Sequence, residues 1–362
     1  MTAIAAARLP ADIEPAAIET ARAVGLCDLH IDTLIPPRLW GYDPRQAHGP
    51  GLLGGRFFGH LDLPRLLACG VSAAQWSITT NPFRTSAGRW RTWQANRRRF
   101  DSWIDSCGTA VQPVRSPEEL AAVRAVGRHG ILCAVQGANA WQAALADDPG
   151  LDGVLGDGTV TRATVVHLTD SALGATSTPV SVRPRKGLTE QGAQVVAALN
   201  RHRAFVDLAH AHPQTFWDAL AASDRDQPPI ATHTGVCGVH SHWRNLDDQQ
   251  IAAIADRGGV VGIVAASLYL RPRGRSDDLD LMVDHLEHAI AVGGEACAAI
   301  GTDLDGAIVP PPGMRDGFGH LRLIAAMLRR GWTHARIERV CWGNFSTCFS
   351  RLRPAGWSPA KP

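Results

Sequence analysis

The chain has 362 residues, 45% of them hydrophobic, and a formal net charge of +2 at pH 7. That length and apolar share suffice for a large core in one domain, and the near balance of charge gives no sign of a nucleic-acid partner. The opening stretch MTAIAAARLPADIEPAAIET lacks a basic segment followed by an apolar one, and no apolar run reaches bilayer length, so the expectation is no secretory leader, no membrane span and a cytoplasmic location.

Short apolar or β-branched runs alternate with segments of helical period. The first run is GLCDLHID (25–32), followed by a glycine- and proline-rich stretch from Pro36 to Leu63 that reads as a long loop over the strand's exit. The second is GVSAAQWSI (70–78), leading to a helix from about Trp90 to Ser106 whose Arg97-Arg98-Arg99 reads as a solvated face. Ser116-Pro117-Glu118-Glu119 signals a helix start: serine as N-cap, proline in the first turn, and Glu119 completing a capping box. That helix runs to near Arg128. The third run is GILCAVQGAN (130–139) and the fourth TRATVVHLT (161–169), after which a looser segment with Pro179 and Pro184 precedes the helix LTEQGAQVVAALNRH. RAFVDLAHA (203–211) is the fifth, with a helix from Pro213 to Ala222. PPIATHTG (228–235) is the sixth, VVGIVAA (260–266) the seventh and CAAIGTDLDG (297–306) the eighth, separated by DDQQIAAIADRGG and DLDLMVDHLEHAIAVGG. Closing helices cover roughly 319–330 and 334–351.

Eight strands separated mostly by helices point to an α/β chain of parallel βα units closing as a (β/α)₈ TIM barrel. The rival, a doubly wound open sheet, would be expected to carry a glycine fingerprint after its first strand, and none is present. The expected organisation is an N-terminal extension over 1–24, one barrel domain over 25–352 and a tail over 353–362. The eight cysteines are scattered without a C-x-x-C pair, and Cys133, Cys237 and Cys297 fall in or beside apolar strands, as buried free thiols do.

Active sites of such barrels lie at the C-terminal ends of the strands. His30 and Asp32 end the first run two residues apart, so both can face the axis. His210 ends the fifth run, His233 the sixth and Asp303 the eighth, while Gln136 lies on the third and His167 on the fourth. Singly these are weak signals. Together, nitrogen and oxygen ligands converging on one mouth suit Zn²⁺ ahead of Mn²⁺, Fe²⁺ or Co²⁺, in a metal-dependent hydrolase.

The segments DLHIDTL, GHLDLPRLLACGVSAAQWS, LTEQGAQVVAALNRHRAFVDLAHA, RNLDDQQIAAIADRGGVVGI, IGTDLDG and WGNFSTCF resemble the membrane (renal) dipeptidase family, metallopeptidase family M19 of the amidohydrolase-like barrels, from about residue 26 to residue 350. The resemblance implies a first zinc on His30, Asp32 and Asp303 and a second on His210 and His233. It also implies that His167 and Arg244 hold the substrate carboxylate and the tetrahedral intermediate, and that Asp303 transfers the proton of metal-activated water. The implied substrate is a small peptide or amide with a free carboxylate, and a homodimer is the expected assembly. The family's bridging glutamate falls on Gln136, which is neutral; without that charge two divalent ions repel more strongly. Three outcomes stay open. One is a single-ion enzyme, its ion on His30, Asp32 and Asp303 with or without His210; the second is a weaker two-ion site bridged by hydroxide alone; the third is loss of hydrolysis, with the pocket reused for another reaction or for binding. Gln136 also motivates the alternative of a biosynthetic homologue that tailors a peptide-derived metabolite, by cleavage or without hydrolysis. His240 and His242, beside Cys237, read as loop residues rather than ligands.

Overall fold

The computed structural model describes residues 4–49, 51–81, 83–179 and 187–359. Its strands, in chain order, are β1 (Leu26–Ile31), β2 (Val71–Thr79), β3 (Val111–Pro113), β4 (His129–Gln136), β5 (Val160–Thr164), β6 (Phe205–Asp207), β7 (Ile230–Thr234), β8 (Val260–Ile263) and β9 (Ala298–Ile300). All pair in parallel along the path β1-β2-β4-β5-β6-β7-β8-β9, with β3 added beside β4. A bridge between Ile31 and Leu304 brings the ends of that path together. Two bonds clamp it, Asp32 N–H to the Leu304 carbonyl and Asp303 N–H to the His30 carbonyl, each 2.9 Å. The (β/α)₈ barrel read from the alternation is the fold, and its closure sets the H-x-D pair beside Asp303 through backbone alone. β3 was not among the expected strands; at three residues it carries too little pattern to be seen.

Several strands are shorter than their apolar runs, and the reason is backbone conformation at the exits. β5 stops at Thr164 and β6 at Asp207, so His167 and His210 lie past the ladder. His210 has φ of 66° and Asp303 φ of 60°, both left-handed, a conformation costly for non-glycine residues and tolerated where surrounding structure enforces it. Packing nearby is tight: a Cβ on Gly262, in β8, or on Gly301, just past β9, would sit 2.0 or 1.7 Å from the Thr232 carbonyl, so both segments approach β7 as only glycine permits.

The stretch from Pro36 to Leu63 contains more than a loop. A helix, Ile35–Trp40, follows β1, and Asp62 caps the helix Leu63–Ala68 through the Arg65 N–H at 2.9 Å. Between them, Asp305 Oδ1 accepts from the N–H groups of Gly59 and His60, tying this segment to the exit of β9. Ser116 caps Pro117–Ala125 as expected, but Glu119 reaches the Arg115 N–H rather than that of Ser116; the full reciprocal capping box is Asp247 with Gln250. Pro15–Val24 is a helix packed against Gly319–Arg329, with Ala17, Ala21 and Val24 in the core. Arg353, fully buried, donates to carbonyls of Arg203, Arg115, Gly158 and Val160. Pro184 lies outside the described residues. Among these, no helix is long and apolar enough to cross a membrane.

Two buried histidines are fixed as neutral structural groups. His129 Nδ1–H donates to the Val71 carbonyl at 2.7 Å and its Nε2 accepts from the Trp76 indole at 3.0 Å. His285 accepts from the Val236 N–H and donates to the Leu270 carbonyl. Burial pushes both imidazoles down to about 4. Unfolded, they protonate near ~6.5, so the unfolded state takes up protons first as pH falls from there to about 4, and folding stability drops across that window. The expected loss is roughly 3 kcal/mol per histidine. Urea midpoints between pH 7 and pH 4 check this; His129→Asn, which cannot titrate, flattens part of the slope, and an unchanged slope contradicts the assignment.

Candidate active site

The mouth is built on a polar core inside the barrel. Arg162, on β5, is fully buried and spends all five of its N–H donors. Nε donates to Gln75 Oε1 at 2.6 Å; Nη1 donates to Thr164 Oγ1 at 2.9 Å and Asp207 Oδ2 at 2.8 Å; Nη2 reaches Ser77 Oγ at 2.9 Å and His30 Nδ1 at 2.8 Å. Asp207, on β6, also accepts from Thr232 Oγ1 at 2.7 Å and from the backbone N–H groups of Thr232 and Ala209. Burial alone would raise the Asp207 carboxyl; Arg162 and these hydrogen bonds outweigh it and hold it below the usual range.

Above this layer the expected residues come together. His30 Nε2 lies 3.4 Å from Asp303 Oδ1 and 3.8 Å from Asp32 Oδ2. His210 and His233 face each other with Nε2 atoms 2.8 Å apart, and the His30 and His233 rings lie 3.9 Å centroid to centroid. His167 meets His210 edge-on at 4.8 Å. His30, His233 and Asp303 each bring one ligand-capable atom within 4.8 Å of the others. His240 and His242 join no such group; His242 Nδ1 instead accepts the Arg244 N–H, steadying the loop that carries that arginine.

Gln136 sits where Asp32, His30 and His167 meet. Thr79, its register partner on β2, has one hydroxyl proton and gives it to Asp32 Oδ1 at 2.8 Å, so it must accept from the amide. That turns the Gln136 nitrogen to Asp32 Oδ2 at 2.8 Å and Thr79 Oγ1 at 3.0 Å, and its oxygen to the Nε2 atoms of His167 and His30, each at 3.3 Å.

Burial governs the charges. It pushes His30 down, His210 and His233 well down, and His167 to about 3, so the histidines are neutral at neutral pH. Burial and the neighbouring Asp32 push the Asp303 carboxyl well up. For Asp32 burial acts in the same direction, but hydrogen bonds from His30 and Thr79 reverse it. Arg244 is buried, donates to the His233 carbonyl at 2.6 Å, and among the described residues its Nε has no partner and no carboxylate pairs with it. All eight cysteines are free, and where burial moves a thiol it moves it up, away from nucleophilic use.

Two features suit a divalent cation. Among the described residues Asp303 Oδ1 is buried without a hydrogen-bond partner and lies within 4.8 Å of a ligand-capable nitrogen of His233, whose Nε2 in turn faces the His210 Nε2 at 2.8 Å. Sequence reading missed Arg162, Asp207, Thr232 and Thr79. An arginine and an aspartate within fully buried runs were the available signal, since such charges persist only when paired.

Residues 22–353 match the family described as membrane dipeptidase, peptidase family M19. Among curated proteins, an uncharacterized protein of the pqqA 5′ region of Klebsiella pneumoniae is 34% identical over 172 residues, 47% of this chain and 62% of its own length. An uncharacterized dipeptidase of Schizosaccharomyces pombe is 27% identical over 204 residues, 56% of this chain and 49% of its own. The chain thus spans less than two thirds of these two curated relatives. Among solved structures, an M19 dipeptidase is 26% identical, with TM-score 0.78 over 93% of this chain and 99% of its own. A metallopeptidase of Rhodobacter sphaeroides liganded with a phosphinate mimic of L-Ala-D-Ala is 26% identical, with TM-score 0.77 over 91% and 99%. The probable dipeptidase PvdM of Pseudomonas aeruginosa, 18% identical with TM-score 0.81 over 95% and 99%, shares the fold.

Proposed function

Because this chain belongs to the membrane dipeptidase family, peptidase family M19, whose members are metal-dependent hydrolases, we propose that it cleaves small dipeptide-like substrates bearing a free C-terminal carboxylate, L,D pairs included. The observation that carries the reading is Arg244. A guanidinium buried beside His233, with an Nε unpartnered and no paired carboxylate among the described residues, is a costly arrangement that an anionic substrate group relieves. Its planar fork suits a carboxylate. The Rhodobacter sphaeroides enzyme, liganded with a dipeptide mimic, supports substrates of this size.

His233, His210 and Asp303 would hold zinc. When bound, the ion supplies Lewis acidity and makes water acidic enough to attack at neutral pH. The remaining work belongs to side chains. Arg244 orients the substrate by its carboxylate. His167, neutral, holds its Nε2–H on the Gln136 amide oxygen at 3.3 Å and would have to turn it from there to reach the oxygen on which charge develops. Asp303, with its unshared Oδ1, takes a proton from water and returns it to the leaving amine.

The test is a panel of L,L and L,D dipeptides and their C-terminal amides with zinc- or manganese-loaded protein. Free-carboxylate substrates should be cleaved and the amides resisted by about 100-fold, the scale of one buried charged hydrogen bond. No turnover of any member by metal-loaded protein would end this reading. A second reading, a family member that tailors a peptide-derived metabolite, draws on Gln136 in the bridging position; it predicts turnover of a modified or longer peptide where the plain panel is inert.

A further inference from the structure

Hydrogen-bond polarity separates the two halves of the mouth. A neutral imidazole has one N–H and one lone pair, and only the lone pair binds a metal. Arg162 is a donor without acceptor capacity, so the His30 Nδ1 that it meets at 2.8 Å must supply the lone pair. The His30 proton therefore sits on Nε2, the atom that points into the mouth. The surroundings of Nε2 agree: Gln136 Oε1 at 3.3 Å, Asp303 Oδ1 at 3.4 Å and Asp32 Oδ2 at 3.8 Å are all acceptors.

The same network imposes the opposite polarity on His233. Asp207 pairs with Arg162 and is acceptor-only, so the single Thr232 hydroxyl proton goes to it. Thr232 Oγ1 must then accept from His233 Nδ1, 2.8 Å away. That leaves the His233 Nε2 lone pair free, with the donor held from behind as metal-binding histidines usually are. Among the described residues no hydrogen bond fixes the His210 Nδ1, so its proton can sit there and the Nε2 lone pair can turn to the same place. Gln136 completes the contrast: its amide donates to Asp32 and accepts from His30 and His167, so these four groups satisfy one another.

We propose that Arg162 fixes His30 as an Nε2–H hydrogen-bond donor and so closes the first of two metal positions, leaving this chain one divalent-ion position, seated on His233 and His210 with Asp303 beside His233. Arg162 is a positioning residue: it acts through His30 on one side and, through Asp207 and Thr232, on His233 on the other. The proposal rests on the metal-hydrolase reading only in requiring that an ion binds.

Two measurements on the unaltered chain decide it. Side-chain ¹⁵N NMR of histidines in the metal-free protein should show His30 protonated on Nε2 and His233 on Nδ1. Loading with excess zinc, desalting and metal analysis should return one ion per chain. A His30 proton on Nδ1, two ions, or none overturns the proposal. Gln136→Glu alone should still hold one ion, because His30 stays blocked; with Arg162→Met added, a second ion should bind. A second ion in Gln136→Glu with Arg162 intact overturns it too, and if the double variant does not fold, the unaltered chain still decides. A one-ion protein that cleaves no dipeptide would sink the substrate reading and leave this one standing.

Discussion

Alanine at His233 should empty the mouth of its ion and lower kcat/KM for a cleaved dipeptide by at least ~10³-fold, about 4 kcal/mol of transition-state stabilisation. His233 is the side chain whose lone pair is held ready by the Thr232 hydroxyl and, beneath it, by the Asp207 carboxylate. His210 alone cannot replace it, because among the described residues the hydrogen bond of its ring is the one to His233 itself. The contrast with His30 gives the prediction its edge. His30→Gln should keep the ion and cost only about tenfold, as loss of one hydrogen bond does. Steady-state kinetics paired with ions per chain, on both variants, checks this. Equal and complete loss of metal in both would mean that His30 ligates after all.

The second large effect is expected at Arg244. Arg244→Met should lower kcat/KM for a free-carboxylate dipeptide by ~10²- to 10³-fold, mostly through KM, while barely altering turnover of the matching C-terminal amide. The asymmetry follows from the site: the guanidinium is buried and, among the described residues, pairs with no carboxylate and keeps Nε unspent. Removing it deletes the pairing for the incoming anion, and the bond it also takes away, to the His233 carbonyl, serves both substrates alike. Arg244→Lys should recover little, because an ammonium cannot reproduce the fork that also holds the His233 carbonyl. Rates on the paired substrates measure the selectivity directly. A variant that loses both substrates equally would assign Arg244 to holding the His233 backbone alone.

Much of this was legible in the chain because barrels expose their chemistry at strand exits. The alternation of apolar runs and helical segments gave eight strands, and the residues ending those runs, His30, Asp32, His210, His233 and Asp303, lie around one mouth. Run length misled at the exits. TRATVVHLT and RAFVDLAHA read as continuous strands, yet His167 and His210 stand beyond them, because buried irregular backbone can be as apolar as a ladder. The single-ion alternative read from Gln136 placed the ion on His30, Asp32 and Asp303, with His210 open as a further ligand. The hydrogen-bond polarity favours His233 with His210 over His30, and no residue pattern shows polarity of that kind. It depends on which atom of His30 meets Arg162, from a strand far away in sequence but adjacent across the barrel. Gly262 and Gly301 are similar: only the approach of the Thr232 carbonyl explains them.

Anomalous scattering at the zinc edge from crystals soaked in zinc tests the central claim most directly. One peak is expected, within about 2.0–2.2 Å of the Nε2 atoms of His233 and His210 and of an Asp303 oxygen, and no peak between His30 and Asp32. A peak bonded to His30 Nε2 and Asp32, or no peak anywhere in the mouth, would contradict it.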